Sequence, residues 1–307
     1  MHIRISGVRM TMTIRNHLPS AIILCALLLA LCLHAFALDN RTSLQKTQSA
    51  VTAMSTAVTT AAESTPPAAQ VTVNGESISD SITTAVIEQV LYLSAAPVLA
   101  ALYPDAQTVL EDGMLTVTAD GLHLEAVAGN AYFMVNGRYF YVPYFVASEN
   151  GALLLPAQEL AESLGCTLER DEQNNTVALT QTSQPVTANT YVEEDLYWLS
   201  RAIYSESGNQ PMKGRIAVGT VILNRVANEA FPNTIKEVIF APRQFSPVSN
   251  GTIFLTPDEQ SVVAAKLCLD GVREAGECLY FNVTSMVSWA DKSRTLYCTI
   301  GDHNFYL

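Results

Sequence analysis

Glu206 is the acid whose setting most invites chemistry. Leu196, Leu199 and Ile203 recur at +3 and +4, the inward stripe of a helix. Glu206 falls on that stripe, three residues after Ile203 and seven after Leu199. A carboxyl aimed at the apolar side is costly as a bare charge, so its pKa is expected to rise. An acid still protonated near neutral pH can serve as a general acid. The competing reading is a helix-end Glu bonded to local backbone or to Arg201.

The elements that position this acid are mostly helical. Glu193-Glu194-Asp195 supplies the acidic first turn of its helix. A second helix opens near Gly214 and runs through Arg215–Val226. Its stretch from Ala217 to Leu223 is uncharged on every face, which predicts burial all round. Asn224 at its end must then be hydrogen-bonded, structural glue beside the site. Thr256-Pro257-Asp258-Glu259 reads as a capping box that starts a third helix, stopping at Gly271. Strand-like runs at 278–282 and 294–300 close the chain.

The 307 residues allow two folded units plus extras. The net charge of −12 argues against nucleic acid as a partner, because phosphate binding runs on Lys and Arg. With 49% apolar residues the chain can build real cores. His123 and His303 are the only His beyond residue 37, which disfavours a His-rich zinc site.

Arg4, Arg9 and Arg15, the apolar run Ala21–Leu33 and Ala35-Phe36-Ala37 form an export signal, with cleavage expected after Ala37. An uncleaved membrane anchor is the alternative, and a membrane is a partner only in that case. Either way the working part is expected outside the cytoplasm, secreted or extracytoplasmic. Residues 38–70 are a Ser/Thr/Ala/Gln tether with too few large apolar residues to order it.

Residues 71–182 form a first unit with a weak internal repeat at an offset of 62. Leu93, Val98, Leu102, Leu115 and Val117 match Leu155, Leu160, Leu164, Val177 and Leu179. Each copy reads as strand, amphipathic helix, strand, with Gly165 at a helix C-cap and a hairpin turn over Asp171–Asn175. Tyr132–Val142 is another hairpin, turning type I′ on Asn136-Gly137. This pattern resembles the stalk-like copper amine oxidase N-terminal domain, which implies a non-catalytic adaptor and no copper site. The unit carries 14 acids against Arg138 and Arg170. That surface suits either a wall-adhering spacer or simple solubility. Residues 183–190 read as a linker, and 191–307 as the second unit.

In that unit Tyr204-x-Glu206, Pro211, Gly214, Ala217-Val218, Asn224-Arg225-Val226, Phe231-Pro232, Gln244-Phe245-Ser246, Tyr280-Phe281-Asn282 and Ile300-Gly301-x-His303-x-Phe305-Tyr306 stand in order. They resemble the spore cortex-lytic, SleB-type cell wall hydrolase family. The resemblance implies an α+β chain overall: a mixed strand–helix stalk-like domain, then a mainly helical, lysozyme-like domain with a small terminal β-hairpin. It implies peptidoglycan as the partner and maps the family's single catalytic Glu onto Glu206. The reaction implied is lytic transglycosylation of the MurNAc–GlcNAc bond, with spore cortex as the usual substrate and no cofactor. Where the family reads Glu-Ala-Arg-Gly-Glu, this chain has Glu206, Ser207, Gly208, Asn209 and Gln210. The missing Arg and acid put cleft-edge contacts and the exact substrate form in question.

Hydrolytic glycosidases mostly pair two carboxylates, and no second motif acid accompanies Glu206. A transglycosylase manages with one, because its nucleophile, the muramoyl 6-hydroxyl, is already tethered. A muramidase using water is the alternative. Tyr204, Gln244, Phe245, Ser246, Tyr280, Asn282 and His303 are candidate sugar contacts. Phe245 and Phe281 also read as ordinary core, and His303 as a satisfied buried group. If 278–282 and 294–300 pair as antiparallel strands, Cys278 and Cys298 face each other and can bridge; otherwise the thiols stay free. Two rival functions remain: a Cys peptidase or amidase using Cys268, Cys278 or Cys298 with His303, and a non-catalytic wall-binding protein.

Overall fold

A computed structural model describes residues 69–242 and 244–307. The expected signal at 1–37, and the tether up to residue 68, lie outside the described residues. Among the described residues no helix is long and apolar enough to cross a membrane.

The internal repeat is a physical pairing. After β1 (Gln70–Val73), β2 (Glu76–Ser77) and β3 (Thr84–Ile87), the two copies' first strands, β4 (Val90–Ser94) and β11 (Ala152–Pro156), lie side by side antiparallel between β3 and β10 (Ala147–Glu149), with Leu93 opposite Leu155. A helix follows each directly: α1 (Ala95–Leu102) and α2 (Ala157–Ser163). Each copy then closes on an antiparallel hairpin. In the first it is β5 (Gln107–Glu111) with β6 (Met114–Ala119); in the second, β12 (Cys166–Asp171) with β13 (Thr176–Gln181). Val98, Leu115, Val117, Leu160, Leu164, Val177 and Leu179 are all buried in one core. The repeat therefore marks equivalent inward positions around a shared interior.

The first copy's hairpin grows into a five-stranded meander through β7 (Leu122–Val127), β8 (Tyr132–Val135) and β9 (Arg138–Tyr141). Asn136 and Gly137 both take positive φ, as the expected type I′ turn requires. Gly165 lies one residue past the C-cap of α2 at φ +68°, donating to the Glu162 carbonyl.

The C-terminal core gathers α3 (Glu193–Ser207), α4 (Met212–Ala227), α5 (Ile235–Phe240), α6 (Ser246–Asn250) and α7 (Glu259–Leu269). From Gly214 to Ile222 every residue of α4 is buried, charged Arg215 included; of the uncharged stretch expected to be buried all round, Ala217–Leu223, only Leu223 is part-exposed. The start of α7 departs from expectation. Asp258, not Thr256, is the N-cap and accepts from Ser261 N, so the helix begins at Glu259. Asp258 is the better cap because its carboxylate also takes a bond from Arg215.

The terminal sheet has the order β14 (Tyr280–Val283), β16 (His303–Tyr306), β15 (Leu296–Ile300), so the terminal hairpin β15–β16 gains a third strand. This order corrects the expected pairing of 278–282 with 294–300. β16 runs between them, and Cys298 sits opposite Phe305. Cys278 and Cys298 are free thiols, as are Cys166 and Cys268.

The two cores meet on a tyrosine seam. Tyr132, Tyr139 and Tyr141 of the meander pack against the C-terminal core. Tyr141 donates to Glu274 Oε1 at 2.6 Å, and Lys266 of α7 lies over the Tyr139 ring. The expected linker at 183–190 is pinned rather than free: Asn136 Nδ2 donates to the Val186 carbonyl and Asn189 Nδ2 to Asp270.

Candidate active site

Glu206 sits in the last turn of α3, one residue before the helix ends at Ser207. Leu199 and Ile203 on its stripe are fully buried, and the Glu206 side chain follows them into partial burial. Burial pushes its carboxyl up to about 7, while the Arg225 guanidinium acts the other way. No ion pair within 4.0 Å reaches this carboxyl among the described residues. The alternative partner, Arg201, is engaged elsewhere: its guanidinium stacks 3.6 Å from the Tyr197 ring and donates to the Tyr197 carbonyl.

The turn after α3 is held by a second buried arginine. Arg215 donates from Nε to the Gln210 carbonyl, from Nη1 to Asp258 and Ser261, and from Nη2 to the Gly208 carbonyl. The residues that depart from the family pattern thus have structural work. Ser207 Oγ bonds back to the Ile203 carbonyl. Gln210 accepts from Asp302 N and donates to Asp302 Oδ2, tying the end of α3 to the β15–β16 turn.

Arg225, quoted in the sequence only as part of the Asn224-Arg225-Val226 motif and given no role there, is the cation that acts on Glu206. It is 5% exposed and carries its charge among three rings, with Cζ 5.3 Å from Phe231, 5.3 Å from Phe245 and 5.7 Å from Tyr280. Burial lowers it to about 10, against the support of Tyr280 and Glu206, so it remains a cation at neutral pH. The available signal was its place: a charge closing an otherwise buried helix needs a partner.

The candidate sugar contacts divide. Tyr280 is half-buried beside Arg225, edge-on to Trp289 at 5.2 Å, with Arg294 over its ring. Gln244 and Ser246 are exposed around the start of α6, and Tyr204 is half-buried two residues before Glu206, on a different face of α3. Phe245 is core, packed against Phe281, and Phe281 in turn against Phe305. Asn282 has its side chain taken up within its own loop. Its amide donates to Ser288, Asp291 and the Met286 carbonyl, and Tyr306 donates to its Oδ1. Its role is to brace the loop that presents Trp289, which is 57% exposed and was also missed. His303 is buried between Phe281 and Phe305, and burial holds its imidazole below the usual range. Asn224 Nδ2 donates to the Gly276 and Cys278 carbonyls, stapling α4 to the approach to β14.

The thiol alternative finds no activated sulfur. Burial pushes Cys268 and Cys278 up to about 12, and Cys298 upward too. Among the described residues no group of three or more His, Cys, Asp or Glu is placed to hold a metal.

Residues 209–306 match the cell wall hydrolase family, and residues 72–179 the copper amine oxidase N-terminal domain. Spore cortex-lytic enzymes align with this chain over 38–43% of its length. That from Bacillus cereus is 40% identical over 118 residues, covering 46% of its length, and that from Bacillus subtilis 34% over 137 residues, covering 45%. The catalytic domain of the germination-specific lytic transglycosylase SleB from Bacillus anthracis is 37% identical, with all of that domain and 39% of this chain covered and a TM-score of 0.37. The chain belongs to the SleB-type spore cortex-lytic enzyme family. It spans about half the length of the curated relatives it matches, and its second module is of the copper amine oxidase N-terminal type. Within the SleB-type region, the family match begins three residues beyond Glu206. The case for that carboxyl therefore rests on its own surroundings.

Proposed function

We propose that the C-terminal domain cleaves peptidoglycan glycan strands at the MurNAc–GlcNAc bond, as a lytic transglycosylase with Glu206 as its one acid and base. The supporting observation is a part-buried carboxyl that burial pushes up to about 7 and that, among the described residues, makes no bond to the protein and has Arg225 as the one charged group acting on it. A two-carboxylate hydrolase would set its second acid roughly 5–9.5 Å away.

Protonated Glu206 gives its proton to the leaving oxygen as the C1–O bond breaks. The resulting carboxylate takes the proton of the muramoyl 6-hydroxyl as that oxygen closes on C1. A 1,6-anhydro ring forms, and Glu206 returns to its starting state. The nucleophile belongs to the sugar itself, so no water needs positioning. Spore cortex is the proposed substrate, met outside the cytoplasm. The 71–182 module is the proposed non-catalytic adaptor, its acids against two arginines forming the face that meets the wall.

The test is digestion of purified cortex with mass analysis of the products, wild type against Glu206→Gln. Anhydro ends from wild type, lost by at least about a hundredfold in the variant, are expected. Reducing ends would mean a water-using muramidase, and cleaved amides would overturn the glycan reading.

A further inference from the structure

Helix α4 buries two arginines ten residues apart, and they differ in one respect. Arg215 has every guanidinium nitrogen on a protein acceptor. Arg225 has its Nε on the Leu279 carbonyl at 2.7 Å, but its Nη1 is buried with no acceptor at all. The three surrounding rings favour the cation but offer its N–H groups little. A buried donor left without an acceptor is destabilising, and such exceptions call for a specific reason. Among the described residues, the charged or titratable groups acting on Arg225 are Tyr280 from β14 and Glu206 from α3. Neither takes the bond: Glu206 stands beyond ion-pair distance.

We propose that glycan binding parts the rings around Arg225 and that the uncovered Nη1 donates to an acetamido carbonyl oxygen of the sugars flanking the bond that Glu206 protonates. This rests on the glycan-cleaving reading above. The acceptor must be small, neutral and repeated along the polymer. An acetamido carbonyl is all three, since both sugars of a MurNAc–GlcNAc bond carry one, and a neutral acceptor leaves the charge balance at Glu206 unchanged. An anion in the same place would drive that proton's release out of the working range. The planar fork suits a directed bond to a carbonyl, which a lysine's point charge does not reproduce.

The experiment separates this role from catalysis by Glu206. Binding of purified, solubilised cortex glycan strands is measured in the Glu206→Gln background, where no turnover is needed. Adding Arg225→Met is expected to weaken binding about ten- to a hundredfold, and Arg225→Lys to recover little of it. Both variants lose the Leu279 bond, so the melting temperature of each is followed as the structural control. In the otherwise wild-type enzyme, Arg225→Met moves the alkaline limb of kcat/KM to higher pH, because the carboxylate of Glu206 loses its favourable neighbour. Arg225→Lys, which keeps the charge, leaves that limb in place. Glycan binding by Arg225→Lys equal to that of the Glu206→Gln parent overturns the proposal, even if the methionine variant does not fold. Full activity of Glu206→Gln would sink the acid assignment while leaving the binding comparison intact.

Discussion

At the scale of single residues, the acid is also a liability to the fold. A carboxyl held near 7 when folded and near 4.5 when unfolded keeps its proton longer in the native state. The folded protein therefore binds more protons between those values, and stability contributed by this group falls as pH rises through them. Once ionised, Glu206 costs about 3 kcal/mol as an upper figure. Glu206→Gln is accordingly expected to raise the melting temperature at pH 8 and to leave it unchanged at pH 4. Equal melting of both proteins at pH 8 would remove the buried-acid premise. The same titration sets the activity profile: the proton donor is depleted above pH 7, so kcat/KM declines on the alkaline side.

Glu206 was legible from spacing alone, because Leu196, Leu199 and Ile203 define a face and the acid sits on it. Arg225 was legible only as a charge closing a buried helix; that its Nη1 meets no acceptor leaves no trace in the sequence. Asn282 was placed on the substrate side from its motif. In the structure, Asp291 at +9 claims it, a partner brought close only by the turn at 284–289.

At the scale of elements, the repeat was readable because equivalent inward positions must be apolar in both copies. What spacing could not reveal was that Leu93 and Leu155 face each other across neighbouring strands. The terminal sheet was misjudged for a related reason: sequence order does not say which strand lies in the middle, and β16, last in the chain, does. Two substitutions probe these elements. At Gly165 an added Cβ would lie 2.5 Å from the Ser183 and Gln184 carbonyls, in a left-handed conformation. Gly165→Ala is expected to cost about 2 kcal/mol in urea unfolding. Asp258→Ala removes both the cap of α7 and the ion pair to buried Arg215. Its expected loss is about 2–3 kcal/mol, more than capping alone provides. A loss below about 1 kcal/mol would show that Ser261 suffices for Arg215.

At the scale of the whole molecule, the tyrosine seam and the pinned 183–190 segment join two cores that composition alone had set apart. The charge contrast between the halves suggested independent modules. It was silent about aromatic side chains on the meander, which alternate with inward residues and so look like an exposed face. The two cores are expected to unfold together. Both tryptophans, Trp198 and Trp289, lie in the C-terminal part, so their fluorescence follows that part, while far-UV circular dichroism follows the sheets as well. The two midpoints should coincide in urea; separated midpoints would show that the seam is weak. Tyr141→Phe takes the hydroxyl from Glu274 but leaves Lys213 at 3.6 Å from it, so a shared loss of about 1 kcal/mol is expected.

A joint clamped on both sides bears on reach. If, as proposed, the 71–182 module rests on the wall, the bonds from Tyr141 to Glu274 and from Asn189 to Asp270 leave little free chain between that footing and Glu206, and strands at other depths are reached by shifting the module rather than by swinging the catalytic part.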